Sequence, residues 1–409
     1  MASPTLRFIH ASDFHLERPM RGLSEMPVGL ADIVADAPER AVERVFDWAL
    51  SEQVDFVLLA GDILQPTAAG PRGLVLLIEQ FERLHARNIP LYWSTGRVDS
   101  ATRWTEILHL PPNVHLATGR RVEHWKFERE GRLPAEILAG TADEHHLVQP
   151  TSFRPTAGSV AIALAHGRLA APVIAAQGIH YWALGGSHRR RVVRSEAPVV
   201  HYPGTPQGRS PSESGRHGCT LVQVDDSHIL RTRFLPTDLL RWHTETIRLD
   251  AHMSRADLER QIDHRAQALL ATPGEPQWLV RWRIQAPAAL AVKLRRDEAV
   301  GQLVAHLRGK FSHRHGGIYS LAIEIQPPDR LPQEWWQEET IRGEFLRALR
   351  SRLADGRSPG DWPHMLPSRQ LPDSLAAALA LDDAATRERV LAQATLLGVD
   401  LLSGEEPQA

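Results

Sequence analysis

Short apolar runs alternate with helix-spaced apolar positions through the first 240 residues. Leu6 to His10 reads as a buried strand running into the polar turn Ala11-Ser12-Asp13. Val42, Val45, Phe46, Ala49 and Leu50 fall on one helix face, with Pro38 and Glu39 opening the helix and Asp36 as its expected cap. Phe56 to Ala60 is a continuous apolar run closed by Gly61-Asp62, the pattern of a central strand buried on both faces. Leu74, Leu77, Ile78, Phe81 and Leu84 predict a second helix, and Ile89 to Trp93 a third strand ended by Gly96. This β-α-β-α-β opening predicts an α/β core with functional loops at the strand ends. Ser159 to Ala165, Tyr181 to Leu184, Val199 to Tyr202, Cys219 to Val224 and Ile229 to Phe234 follow as short strands. Two packed sheets flanked by helices accommodate that order.

Near residue 240 the pattern changes. His243 to Leu249 reads as a strand, and Ser254 with Asp257 caps a helix carrying Leu258, Ile262 and Leu269. Trp278 to Gln285 alternates as a half-buried strand. A helix over Asp297 to Leu307 and a strand over Ile318 to Ile325 complete a small α/β unit. The Pro-rich stretch Gln326 to Gln333 reads as a linker. Two amphipathic helices are expected beyond it, one with Phe345, Leu349 and Leu353, the other with Leu391, Ala394, Leu397 and Leu401. The expected domains are therefore 1–240, 241–326 and 327–409.

Composition adds limits to this picture. A chain of 409 residues exceeds one compact core, and 43% hydrophobic with 23% charged residues is ordinary for a globular protein. A formal charge of -2 leaves nucleic-acid binding to local basic patches. The single cysteine, Cys219, excludes an internal disulfide and suits a reducing cytoplasm, the expected location. No apolar stretch approaches the roughly 18 residues of a membrane helix, so no membrane association is expected.

Four polar clusters stand where strands are expected to end: Asp13-Phe14-His15, Gly61-Asp62, His166-Gly167 and Gly185-Gly186-Ser187-His188. In an Asp-x-His step on extended backbone both side chains face one way, so Asp13 and His15 can share a cavity. Mixed carboxylate and imidazole groups suit Mn²⁺, Fe²⁺ or Zn²⁺ better than Mg²⁺. Taken singly, Asp-x-His is more often a turn, and His166 or His188 a hydrogen-bonded structural histidine. Their shared position at successive strand ends is what favours a metal.

The run RFIHASDFHLERP resembles the opening motif of the SbcD-type DNA double-strand-break repair exonucleases, which are calcineurin-like metallophosphoesterases. DFVLLAGDIL is similar to their second motif, YWALGGSHRRRVV to their last metal motif, and HYPGTPQGRSPSESGRHGCTLVQVD to the segment after it. The resemblance covers about residues 6–240 and implies a two-sheet metallophosphoesterase sandwich flanked by helices. It also implies a small DNA-facing α/β cap domain and C-terminal helices. It assigns a first metal site to Asp13, His15, Asp62 and His188, and keeps His166 and the bridging Asp62 for a second. The family's Gly-Asn-His-Asp motif reads Gly96-Arg97-Val98-Asp99 here, and Gly186 replaces the first His of its Gly-His-x-His motif.

Guanidinium has no lone pair to offer a metal. The expectation is therefore one ion, most suitably Mn²⁺, with the Arg97 guanidinium in the place of the second and His166 and Arg97 serving catalysis. Val98 removes the imidazole that assists the leaving group in the family, a loss of about 10²- to 10⁴-fold for a general acid. A slow phosphoesterase, a non-catalytic scaffold and a small-molecule phosphoesterase all stay open. Arg189, Arg190, Arg191 and Arg209 are expected to form a basic rim that binds DNA without reading its sequence. The bland reading of this rim is a solvated loop. The remaining expected partners are an SbcC-like coiled-coil ATPase at the C-terminal helices and a second copy of the chain.

Overall fold

The computed structural model describes residues 6–23, 29–68, 70–99, 104, 109–117, 119, 121–129, 132–142, 145–156, 158–169, 178–271, 277–296, 298–312, 316–326, 331–354, 394–395, 397–399 and 401–402. They form two compact units. The first takes in Met1–Thr244, Leu270–Val280 and Arg308–Leu321, and the second Glu245–Leu269, Arg281–Leu307 and Ala322–Ala409. Among the described residues no helix is long and apolar enough to cross a membrane.

In chain order the first unit opens with β1 (Leu6–Ala11), α1 (Ala31–Ser51), β2 (Phe56–Ala60), α2 (Pro71–His85), β3 (Leu91–Ser94) and β4 (Val114–Leu116). It continues with β5 (Glu123–Arg129), β6 (Arg132–Thr141), β7 (Leu147–Val148), β8 (Val160–His166), β9 (Arg168–Leu169) and β10 (Tyr181–Gly185). Then come β11 (Arg191–Arg194), β12 (Val199–Tyr202), β13 (Gly218–Val224) and β14 (Leu230–Pro236). One six-stranded sheet has the order β14-β13-β1-β2-β3-β4, the other β11-β12-β10-β8-β6-β5. This is the mixed α/β, two-sheet sandwich that the sequence predicts.

Alternation along the strands builds the layers. Phe8, Phe56, Leu58 and Ala60 face Ile162, Leu164, Tyr181 and Ala183 between the sheets. Ile9, Val57, Leu59 and Trp93 point the other way, onto Val42, Phe46, Leu77 and Phe81 of α1 and α2. β2 is buried at all five positions, as its unbroken apolar run requires.

Three differences from the sequence reading have physical causes. Helix α1 starts at Ala31, about two turns before the expected opening at Pro38, and holds Pro38 inside it. That extra segment is secured because Leu30, Val34, Ala37 and Ala41 bury against Leu240, Trp242, Leu279 and Tyr319. Packing there outweighs the proline's missing N–H. Asp36 caps nothing and instead pairs with Arg72 at 2.8 Å. Strands β5 and β11 also escape the apolar pattern, since both are sheet edges that mix charged with apolar residues, and every residue of β11 is exposed.

After β15 (Leu240–Arg248) come α3 (Arg255–Leu270), β16 (Gln277–Gln285), α4 (Ala288–Arg296), α5 (Glu298–Phe311) and β17 (Ile318–Ile325). Short α6 (Gln333–Gln337) and α7 (Ile341–Ala354) follow. The capping pair is present in the second unit, where the Ser254 N–H and hydroxyl both donate to the Asp257 carboxylate, at 2.8 and 2.7 Å. Of the last expected helix, Leu391 lies outside the described residues, Leu397 and Leu401 are 60% and 74% exposed, and Val399 is the buried position. Asp297, Leu353's side chain and linker residues 327–330 also lie outside the described residues.

Between the sheets lies a polar group that apolar patterning hides. His10 shares a 3.0 Å hydrogen bond with Tyr181, and His201 one of 2.8 Å with Thr220. The two imidazoles meet edge to face at 5.9 Å, and all four residues are fully buried. Burial first, and the nearby Arg190 second, push His201 down to about 3 from the usual 6.5. Burial and His201 lower His10 in the same direction. Both rings thus stay neutral in the folded protein and gain protons on unfolding below pH 6.5. Stability should therefore fall as pH drops from 6.5 toward about 3. Thermal unfolding across that window should show a steeper acid decline for wild type than for His201→Gln.

Candidate metal centre

The strand ends converge at one edge of the sandwich. β1 and β2 are parallel neighbours, with Ala11 opposite Leu59, so their C-terminal loops emerge side by side. Those loops zip together through Asp13 N–H to Gly61 O at 2.9 Å, His15 N–H to Asp62 O at 3.0 Å and Leu16 N–H to Ile63 O at 3.2 Å. In the facing sheet β8 and β10 are also parallel, with Gly185 opposite His166.

Asp13, His15 and Asp62 all have positive φ, at 56°, 45° and 54°. The extended Asp-x-His geometry expected from sequence is therefore replaced by left-handed turns. Each such residue costs roughly 1–2 kcal/mol, and strain of this kind gathers at functional sites.

Among the described residues, two groups of side chains could hold a metal ion: Asp13, His15 and His188, and Asp13, Asp62 and His166. Asp13 is common to both groups, and Asp62, to which the resemblance gives the bridging place, belongs to the second. All five residues are nonetheless neighbours, since Asp62 Oδ2 lies 3.5 Å from His15 Nε2 and 3.4 Å from His166 Nε2.

Each imidazole is held by its far nitrogen. His15 Nδ1 meets Glu17 at 3.1 Å, His166 Nδ1 meets the Ala60 carbonyl at 3.0 Å, and His188 Nδ1 meets Glu213 at 2.5 Å. A hydrogen bond donated from Nδ1 leaves the Nε2 lone pair for a metal. His15 Nε2 is buried and without a hydrogen-bond partner, a cost that an ion beside it would relieve. The residues fit a divalent cation.

Electrostatics agree with this division of roles. The hydrogen bond to Glu213 raises His188, assisted by Asp13. Burial would raise Glu213, but hydrogen bonds from His188 and the Arg209 N–H bring it down to about 2. For Glu17, burial again opposes, and the His15 hydrogen bond lowers it.

Carboxylate oxygens in the cluster also accept backbone donors. The N–H groups of Arg97 and Val98 donate to Asp62 Oδ1 at 2.5 and 3.0 Å. Gly186 N–H donates to both oxygens of Asp13, at 3.1 and 3.0 Å, and the Ser12 hydroxyl adds a bond of 2.5 Å. Gly186 sits at φ +95° with His166 Nε2 beside it, so a Cβ there would lie 3.2 Å from that nitrogen. Gly96 is required more strictly, because a Cβ would collide with the Asp62 backbone and carboxylate.

Not every expected site residue faces the cluster. The Arg97 side chain is exposed, so its backbone N–H, and not its guanidinium, is what reaches Asp62. Arg189 and Arg191 are exposed, while Arg190 is half-buried over the Phe234 ring at 5.7 Å. Arg209, expected on the nucleic-acid-binding rim, is buried, and its guanidinium donates to the carbonyls of Phe14 and Arg18. Burial accordingly pushes it down to about 10.

Residues missed in the sequence include Glu17, Glu213 and Asp99. Asp99 accepts N–H bonds from Asp62 (3.0 Å), Ile63 (3.2 Å), Gly96 (2.5 Å) and the Trp93 indole (3.1 Å). Burial and the Asp62 charge push it up to about 7, against these donors. Glu17 and Glu213 stand within the motifs quoted above, but a carboxylate that serves a neighbouring histidine has no pattern of its own.

The family model of the calcineurin-like phosphoesterases matches residues 6–151, which include Asp13, His15 and Asp62. The chain is 33% identical over 240 residues to the uncharacterised metallophosphoesterase YhaO of Bacillus subtilis, covering 55% of this chain. It spans 59% of that relative's length. A crystal structure of wild-type Vps29 complexed with Zn²⁺ from Entamoeba histolytica shares 10% identity and covers 57% of this chain and 100% of its own. Its TM-score of 0.26 is too low to bear on fold or function. The family match and the Bacillus relative support the calcineurin-like metallophosphoesterase superfamily.

Replacing Asp99 by Asn would turn an amide NH₂ toward N–H groups and strip their shared acceptor of charge. Asp99→Asn should lose about 2–4 kcal/mol of stability, measured by urea unfolding in EDTA.

Proposed function

We propose that the chain is the metallophosphoesterase subunit of an SbcD-like DNA-processing complex, with one divalent ion beside Asp13, His15 and His188 and with hydrolysis weakened or lost. The observation that carries this reading is the set of three imidazoles, each held at Nδ1, around Asp13 and Asp62. A bound divalent ion would supply Lewis-acid polarisation of a phosphoryl oxygen. The chain's own residues orient the ligands, and Arg189 and Arg191, just beyond His188, offer exposed cations to a phosphodiester backbone.

One ion is favoured because the second group holds a single imidazole, His166, beside Asp13 and Asp62, and Arg97, Val98 and Gly186 add no ligand to it. Mn²⁺ suits the mixed oxygen and nitrogen donors. A scaffold that binds DNA and a coiled-coil ATPase is the second reading, and Val98 with Asp99 favours it. Val98 has no proton to give, and the Asp99 carboxylate is taken up by four N–H donors. The exposed Ile341, Leu397 and Leu401 offer apolar surface for such an ATPase.

Elemental analysis after dialysis against Mn²⁺ should find one ion per chain, and none in Asp13→Ala, which removes the carboxylate common to both groups. Two ions per chain would overturn the one-ion reading. DNA cleavage separates enzyme from scaffold. If wild type cuts in Mn²⁺ and Asp62→Ala does not, the scaffold reading fails. If cutting appears only after Arg97→Asn, Val98→His and Gly186→His together, the wild-type chain is a scaffold.

A further inference from the structure

We propose that Glu213, braced by Arg209, is a positioning residue that sets the His188 imidazole for metal binding; this rests on the metal-site reading above. The two residues belong to the segment from His201 to Asp225, the longest of the motifs quoted from the sequence.

His201 to Arg209 are nine successive buried residues, and most of them lie in a loop rather than a strand. Buried loops are uncommon because their backbone polar groups need partners, and this one is tied in at several points. Gln207 accepts the Leu239 N–H at 2.8 Å and donates to the Leu240 carbonyl at 2.6 Å. The Trp242 indole donates to Gly208 O at 3.0 Å, and Thr205 N–H to His188 O at 3.1 Å. His217 donates from Nε2 to the Glu213 carbonyl at 2.8 Å and accepts the Thr205 hydroxyl at Nδ1, also at 2.8 Å. Glu213 is therefore fixed at its backbone before its carboxylate makes any contact.

The carboxylate then spans two elements. One oxygen takes His188 Nδ1 at 2.5 Å, and the other takes the Arg209 N–H at 2.7 Å. The Arg209 guanidinium reaches on to the carbonyls of Phe14 and Arg18, on either side of His15. One loop thus grips a ligand from β10's end and the turn that carries two more. A carboxylate on the far nitrogen of an imidazole fixes its tautomer and orientation and strengthens it as a ligand. Removing such partners typically weakens metal binding about 10- to 100-fold.

Cobalt titration of the full chain, followed by visible absorption, tests this with no reference to hydrolysis. Thermal unfolding in EDTA, run in parallel, confirms that each variant is folded. Wild type should bind Co²⁺, Glu213→Ala should bind it about 10- to 100-fold more weakly with an altered band, and Glu213→Gln should fall between. Should Glu213→Ala fail to fold, Glu213→Gln alone decides the matter. A folded variant with wild-type affinity and an unchanged band would make Glu213 a loop brace and overturn the proposal. Absence of Co²⁺ binding in wild type would instead sink the metal-site reading, and the proposal with it.

Discussion

The Asp62 carboxylate has two differently engaged oxygens. Oδ1 accepts the N–H groups of the turn after β3, while Oδ2 stands between the imidazoles of His15 and His166. The first contact fixes the second, because a carboxylate held at one oxygen cannot swing away at the other. The turn in its own place depends on Asp99, which gathers N–H donors from the Asp62 loop and from Gly96. Loops from three strands of one sheet are thereby locked together with no metal, and β8 and β10 bring His166 and His188 to them from the facing sheet.

Such locking rests on backbone donors rather than on side chains. Arg97 and Val98 retain their backbone N–H groups whatever their side chains, so the turn still clasps Asp62. Gly186 likewise keeps its N–H on Asp13. Arg97 and Gly186 are exposed at the margin of the cluster, whereas four of its five grouped residues are buried. Side-chain chemistry can drift at that margin with little consequence for folding.

Much of this could be read from the chain. Unbroken apolar runs such as Phe56 to Ala60 announce buried parallel strands, and the polar residues just past them announce the site. What could not be read is how side chains share partners across sequence distance. Glu213 lies 25 residues from His188, and Asp99 lies 37 from Asp62. Arg209 looks like any surface arginine until its burial against Phe14 O is known. Helix α1 taught a related lesson, since its first turns exist by virtue of residues such as Trp242 and Leu279 that no local pattern contains.

Strand β11 has a consequence for how this protein behaves at high concentration. It is an edge of its sheet, with Val192 and Val193 41% and 43% exposed and a bulge between Val192 and Arg194. An exposed apolar edge invites pairing with another molecule, and flanking charge with a bulge is how natural sheets discourage it. Arg191 and Arg194 thus act as gatekeepers against aggregation whatever else they contact. Neutralising Arg191 to probe a phosphate contact removes a guard from this edge at the same time, so colloidal behaviour and ligand binding are linked at that position.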